Sequence, residues 1–177
     1  QDFIRAYDDV PREVRQASDA LRWNSIHLVM LGLERPKLND LHWAYIPDDD
    51  VLPNRISFPS NMSPETVPEG HSAVLAETTF CPGNPKAKMR EDEIIERTIY
   101  DLQKIGVLQR KDVVFKKLVT CKYAYVVYDL EYQKNMKMIE RFAASEGITL
   151  LGRWGEFRYH NSDKCVENAI EKAKLFQ

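Results

Sequence analysis

From Val113 to Tyr128 the chain runs VVFKKLVTCKYAYVVY, sixteen residues dominated by β-branched and aromatic side chains. Such side chains fit a pleated, half-buried surface and lose freedom in a helix, so this run demands a sheet. It is far longer than the usual strand of about 5–6 residues, and a bend or break near Lys122 is expected. Neighbouring strands must come from elsewhere in the chain, and the first half supplies them. Ser25–Leu33 (SIHLVMLGL), Leu41–Ile46 (LHWAYI), Arg55–Phe58 and Ser72–Phe80 all read as strands. Pro47-Asp48-Asp49-Asp50 provides turn chemistry, and two breaker-rich stretches, 59–70 and 81–88, read as loops.

Helical spacing marks the remainder. Pro11 followed by Val14, Ala17 and Leu21 predicts a short helix over 10–22. Ile94, Ile95, Ile99, Leu102 and Ile105 share one face of a helix over 91–105, with Gly106 as its stop. Met136, Ile139, Phe142 and Ala143 do the same over 131–146, with Gly147 as the stop. A short buried strand is expected at Ile148–Leu151, then a turn with exposed aromatics over 152–160. Asn161 or Ser162 caps a last helix whose inward face is Val166, Ala169, Ile170, Ala173 and Phe176. Strands gathered early and helices late predict an α+β fold, a mainly antiparallel sheet flanked by helices. With 177 residues and 44% hydrophobic content, one domain over 1–177 is expected.

Composition narrows the function classes. A formal charge of -2 without a run of five or six like charges gives nucleic acid no footing. No apolar stretch approaches the roughly 18 residues of a membrane span, and no secretory leader opens the chain, so a cytoplasmic protein is expected. Cys81, Cys121 and Cys165 are too widely spaced for a disulfide framework, and His27, His42, His71 and His160 stand singly, so no metal site is expected. The seven glycines, at 32, 70, 83, 106, 147, 152 and 155, include no G-x-G pair, and no dinucleotide fingerprint is present. The chain opens on Gln1 rather than Met and is read as a fragment.

The segment Gly152-Arg-Trp-Gly-Glu-Phe-Arg-Tyr-His-Asn-Ser-Asp163 runs from a strand end, through a turn, into a helix start. Two glycines let backbone approach a flat ligand, and a helix start offers N–H groups and the positive end of a dipole. A plain strand-turn-helix corner would need neither property for binding, and Asp163 has a simpler use complementing the dipole. Arg55, Tyr45, Tyr125, Tyr128 and Arg153 are candidates for an anionic substrate, because arginine forks suit phosphate or carboxylate and tyrosines suit a pocket wall. The plain alternative for the tyrosines is the half-buried face of a strand.

Gly152, Arg153, Gly155, Phe157, Tyr159, Asn161 and Asp163 match a Gly-Arg-x-Gly-x-aromatic-x-Tyr-x-(Asn or Asp)-x-Asp pattern. This stretch resembles the last FAD-contacting motif of amine oxidases, protoporphyrinogen-oxidase-like proteins and UDP-galactopyranose mutases. Tyr123-Ala-Tyr-Val-Val-Tyr-Asp129, Leu41-His-Trp-Ala-Tyr-Ile-Pro47 and Asn54-Arg-Ile-Ser-Phe-Pro-Ser-Asn61 resemble further family segments more loosely. The resemblance implies the substrate-side part of a two-domain flavoprotein, cut from the Rossmann half, with residues 152–176 as its last FAD-contacting segment. It implies FAD in the full-length parent, contacted by Gly152, Arg153, Trp154, Gly155, Tyr159, Asn161 and Asp163. Arg55, Tyr45, Tyr125 and Tyr128 would face a small-molecule substrate, an anionic one or a nucleotide sugar. Alone, the piece is expected to hold no FAD and to be catalytically silent. An oxidoreductase of the amine-oxidase type, a mutase acting on a nucleotide sugar, and a binding module without chemistry remain open.

Overall fold

A computed structural model describes residues 1–176. Seven helices are assigned: α1 (Asp2–Ala6), α2 (Arg12–Ala20), α3 (Pro59–Met62), α4 (Glu91–Lys104), α5 (Tyr132–Ser145), α6 (Gly152–Gly155) and α7 (Ser162–Ala173). The strands are β1 (Arg22–Leu33), β2 (Trp43–Tyr45), β3 (Arg55–Ser57), β4 (Ser72–Phe80) and β5 (Val113–Val127), in the sheet order β2-β3-β4-β1-β5. The expected α+β fold with an antiparallel sheet is the one observed. β1 pairs antiparallel with β4, from Ser25 opposite Phe80 to Leu33 opposite Ser72, and β3 pairs antiparallel with both β2 and β4.

The chain gathers into two compact units: residues 24–124, and the first 23 residues with the chain from Tyr125 onward. Strands β1 and β5 each contribute residues to both.

In the 24–124 unit, alternate residues of β1 (Val29, Leu31, Leu33) and β4 (Val74, Ala76) point to one side of the sheet. There they join Ile94, Ile95, Ile99 and Leu102 of α4 in a common core. Helix α4 starts with Glu91, Asp92 and Glu93 and ends with Lys104, charges that suit its dipole. Beneath it, the fully buried Asp101 carboxylate accepts from Arg97 Nε at 2.8–2.9 Å and from the Leu52 N–H at 2.8 Å. A loop without regular structure is thereby tied to the helix.

His27 is 4% exposed and stacked on Phe80 at 4.2 Å. Its Nε2 lies 3.2 Å from the Lys86 carbonyl and its Nδ1 2.8 Å from Thr120 Oγ1. A carbonyl can only accept, which assigns the proton to Nε2 and leaves Nδ1 to accept from the Thr120 hydroxyl. Burial holds the imidazole below its ordinary 6.5, against the pull of the Lys86 carbonyl toward the charged form. The unfolded chain therefore takes up the proton first as pH falls. The His27 contribution is complete above 6.5, declines as pH drops toward the folded value, and is constant below that. Urea melts at pH 7.5 and 5.5 are expected to show a smaller acid loss in His27→Gln than in the wild type. Equal losses would remove His27 as the source.

The other unit is built on Ile4, Val14, Ala17 and Leu21 from the N-terminal helices, Met136, Ile139 and Phe142 from α5, and Phe157. Helix α2 lies against α5. Gly147, at φ +68, ends α5 in the left-handed conformation a Cβ disfavours, and the Ile148 N–H reaches back to the Ala143 carbonyl at 2.8 Å.

Several sequence expectations are corrected. Strand β5 is continuous, with no break at Lys122, because β1 runs beside it for most of its length. The Glu34 N–H donates to the Asp112 carbonyl at one end, and the Ser25 hydroxyl to the Lys122 carbonyl toward the other. Helix α1 carries too few apolar repeats to announce itself, α2 starts at Arg12, and β2 is confined to Trp43–Tyr45. The loop over 59–70 contains α3. Ile148–Leu151, expected as a short buried strand, lies outside any strand, with Thr149 and Leu151 exposed. Helix α7 has no buried residue, and Val166, Ile170 and Phe176, expected inward, are 60%, 59% and 74% exposed.

Candidate functional site

The Gly152–Asp163 segment is a one-turn helix, a reversal and the start of α7, where sequence alone suggests an open turn. Gly152 has φ +77, with open space where a Cβ would stand. Gly155 has no such conformation, and a Cβ there would meet Leu150 at an ordinary 3.7 Å. Only the first glycine is required by its backbone. Phe157 is 4% exposed at φ 49, an uncommon conformation for a bulky residue, and its carbonyl accepts from the Tyr132 hydroxyl at 2.9 Å. The expectation of exposed aromatics therefore fails at Phe157. Trp154 is half-buried and meets Phe157 edge-on at 5.6 Å, while Tyr159 remains 51% exposed.

Four of the sequence candidates come together here. The Arg153 guanidinium lies 4.3 Å from the Tyr159 ring centre and 5.4 Å from that of Tyr125. The two rings stack at 5.8 Å, an arrangement in which a cation over π faces is stabilised. Arg153 also donates to the His160 carbonyl at 3.3 Å, and the Tyr128 hydroxyl accepts from the Tyr159 N–H at 2.6 Å. Tyr128 in turn meets Tyr132 edge-on at 4.6 Å. Burial, with Tyr128 beside it, raises the Tyr132 phenol above its usual range, so it stays a neutral donor. Asn161 precedes α7 as its N-cap residue without a side-chain cap bond, and Asp163 sits in the first turn.

Arg55 and Tyr45 belong to the 24–124 unit, directly opposite one another on β3 and β2. The Arg55 guanidinium lies 5.6 Å from the Trp43 ring and 5.9 Å from the Tyr45 ring. Its Nη1 is 3.0 Å from Glu77, whose side chain is 8% exposed, so its charge is already met within the sheet.

Sequence reasoning missed Glu156. Its carboxylate is 2.6 Å from the Lys172 ammonium, accepts from Asn168 at 3.1 Å and lies 3.3 Å from His160 Nδ1. Burial pushes this carboxyl up, but the bonds from Lys172 and Asn168 and the neighbouring His160 outweigh it, and the group stays below the ordinary range. Tyr132 was missed too. The Lys172 partner of Glu156 and the Phe157 partner of Tyr132 are 16 and 25 positions away, beyond the reach of local spacing. Among the described residues no cluster of His, Cys, Asp and Glu could hold a metal, and no helix is long and apolar enough to cross a membrane.

No family model matches the sequence, and no curated protein matches it. Solved structures do. Reduced UDP-galactopyranose mutase superposes with a TM-score of 0.73 at 23% identity, over 81% of this chain and 31% of the mutase. A candidate protoporphyrinogen oxidase from an Exiguobacterium species superposes with a TM-score of 0.71 at 13% identity, over 99% of this chain and 39% of the other. The chain has the fold of one part of these larger proteins. It spans less than two fifths of either, and at such identities the likeness is one of fold.

Proposed function

We propose that this chain is the substrate-side part of an FAD-dependent oxidoreductase of the amine-oxidase type. It works within a longer polypeptide that supplies the dinucleotide-binding half, and it is silent alone. The observation that carries this reading is the convergence of Tyr125, Tyr128, Arg153 and Tyr159 on the Gly152–Gly155 turn, at the motif that resembles the family's flavin contact. The open space at Gly152 suits a planar group, and the start of α7 favours negative charge beside it. Nothing among the described residues forms a glycine-rich cradle for a pyrophosphate, so these residues fit the ring end of FAD rather than its phosphates.

In this reading Gly152, Arg153, Trp154 and Gly155 meet the isoalloxazine and ribityl region, and Tyr159, Asn161 and Asp163 follow at the helix start. Tyr125 and Tyr128, beside that turn, face a small-molecule substrate. The flavin supplies hydride chemistry when bound, and the chain's residues supply position and electrostatics. A second reading is a mutase acting on a nucleotide sugar. It is favoured by Arg153, which rests on the faces of Tyr125 and Tyr159, an arrangement suited to phosphate recognition.

The full-length polypeptide is expected to purify yellow, with a flavin spectrum, whereas this chain titrated with FAD is expected to leave flavin fluorescence unchanged. A colourless polypeptide that ignores added FAD would instead mark a binding module. Given a flavin, turnover of amines or of a nucleotide sugar separates oxidase from mutase.

A further inference from the structure

Lys172 projects from α7 toward both ends of the Gly152–Gly155 turn. Its ammonium donates to the Leu150 carbonyl, on the chain entering the turn, and to Glu156 Oε1 at 2.6 Å, on the chain leaving it. The Lys172 and Glu156 side chains are 29% and 12% exposed, so water competes weakly for these bonds. Asn168, one helical turn earlier on α7, donates to the other oxygen of Glu156 at 3.1 Å. His160 Nδ1 stands 3.3 Å from that same oxygen. Glu156 occupies an unspecified position of the flavin-like pattern and Lys172 lies beyond it, so neither is singled out by the resemblance.

We propose that Lys172 is a positioning residue: by binding Leu150 and Glu156 together it fixes the Gly152–Gly155 turn, with Trp154 and Arg153, against the final helix. The turn then presents one backbone geometry, and, resting on the flavin reading above, it meets FAD without having to be ordered first. The task needs a cation with several donors, because a carbonyl and a carboxylate must be served at once.

The test uses this chain with Trp23→Phe and Trp43→Phe, so that Trp154 on the turn is the sole tryptophan. Acrylamide quenching of its fluorescence is followed as pH is lowered. In the parent of this series quenching stays low at pH 7 and rises where Glu156 takes up a proton, below the ordinary carboxylate range. Lys172→Met is expected to raise quenching at pH 7 by about threefold and to shift the rise to higher pH, because burial of Glu156 is then opposed only by Asn168 and His160. Lys172→Arg, which keeps the charge and has donors for both partners, is expected to restore parental behaviour. Glu156→Gln, similar in shape, is expected to raise quenching in the same direction and serves if Lys172→Met does not fold. Parental quenching at pH 7 in folded Lys172→Met or, in its place, Glu156→Gln would overturn the proposal, as would failure of the arginine variant. In the full-length polypeptide Lys172→Met is expected to weaken FAD binding about tenfold. If the unaltered polypeptide takes no FAD, the flavin reading falls while Trp154 still decides the role of Lys172.

Discussion

Asp101→Ala is expected to lower the unfolding free energy of the 24–124 unit by about 3 kcal/mol, with a loss of folded protein at moderate urea concentrations. Its side chain is wholly buried and takes three hydrogen bonds, two from Arg97 Nε and one from the Leu52 N–H. Removing the carboxylate leaves a buried amide donor without an acceptor, a defect of roughly 1–3 kcal/mol. It also leaves Arg97 without its counter-ion. Because the Arg97 side chain is 49% exposed, water recovers part of that loss, and the total falls at the low end for a broken buried pair. Asp101→Asn keeps an acceptor for Leu52 and is expected to lose about half as much. Urea melts followed by Trp43, with the other tryptophans replaced by phenylalanine, report on this unit. A shift under about 1 kcal/mol for the alanine variant would show that the loop carrying Leu52 adjusts freely.

Gly152→Val is expected to reduce FAD retention by the full-length polypeptide at least tenfold while the chain stays folded. Space is not the obstacle, since nothing lies within 4 Å of the added Cβ. The obstacle is φ +77, where a branched side chain collides with its own backbone at a cost of roughly 2 kcal/mol. The turn relieves that strain by moving, and the backbone proposed to meet the flavin ring moves with it. Gly155→Ala is the control: its Cβ would make an ordinary contact with Leu150, and retention is expected within about twofold of the wild type. Similar losses in both variants would show that the turn needs small side chains rather than a left-handed residue. Full retention in Gly152→Val would remove the turn from the cofactor site.

Elements with strong local signatures were legible without coordinates. The four apolar positions of α5 announced its buried face, and Gly106 and Gly147 announced two helix ends. The strands over 25–33 and 72–80 follow from their β-branched content and pair with each other along their whole length. Where the reading failed, the deciding partner was remote or missing. Ile148–Leu151 has the composition of a strand, but a strand requires a pairing partner, and the segment takes no part in the sheet. Val166 and Ile170 have helical spacing, yet spacing defines a face without saying what covers it, and here both are exposed.

The candidate site divides along the same line. The sequence by itself determined the kind of fold, because β-branched runs and helical apolar spacing act over a few residues and need no distant partner. It also determined the glycine-punctuated, aromatic-rich segment from Gly152 to Asp163 on which the flavin resemblance rests. Only the tertiary structure decided that Arg153 lies against Tyr125 and Tyr159, and that Arg55 is already paired with Glu77. Only there, too, does Gly152 rather than Gly155 prove to need its glycine, and do Glu156 and Lys172 close over the turn. Most of those contacts join residues 16 to 28 positions apart, and their geometry depends on how distant strands and helices pack, which no local spacing encodes.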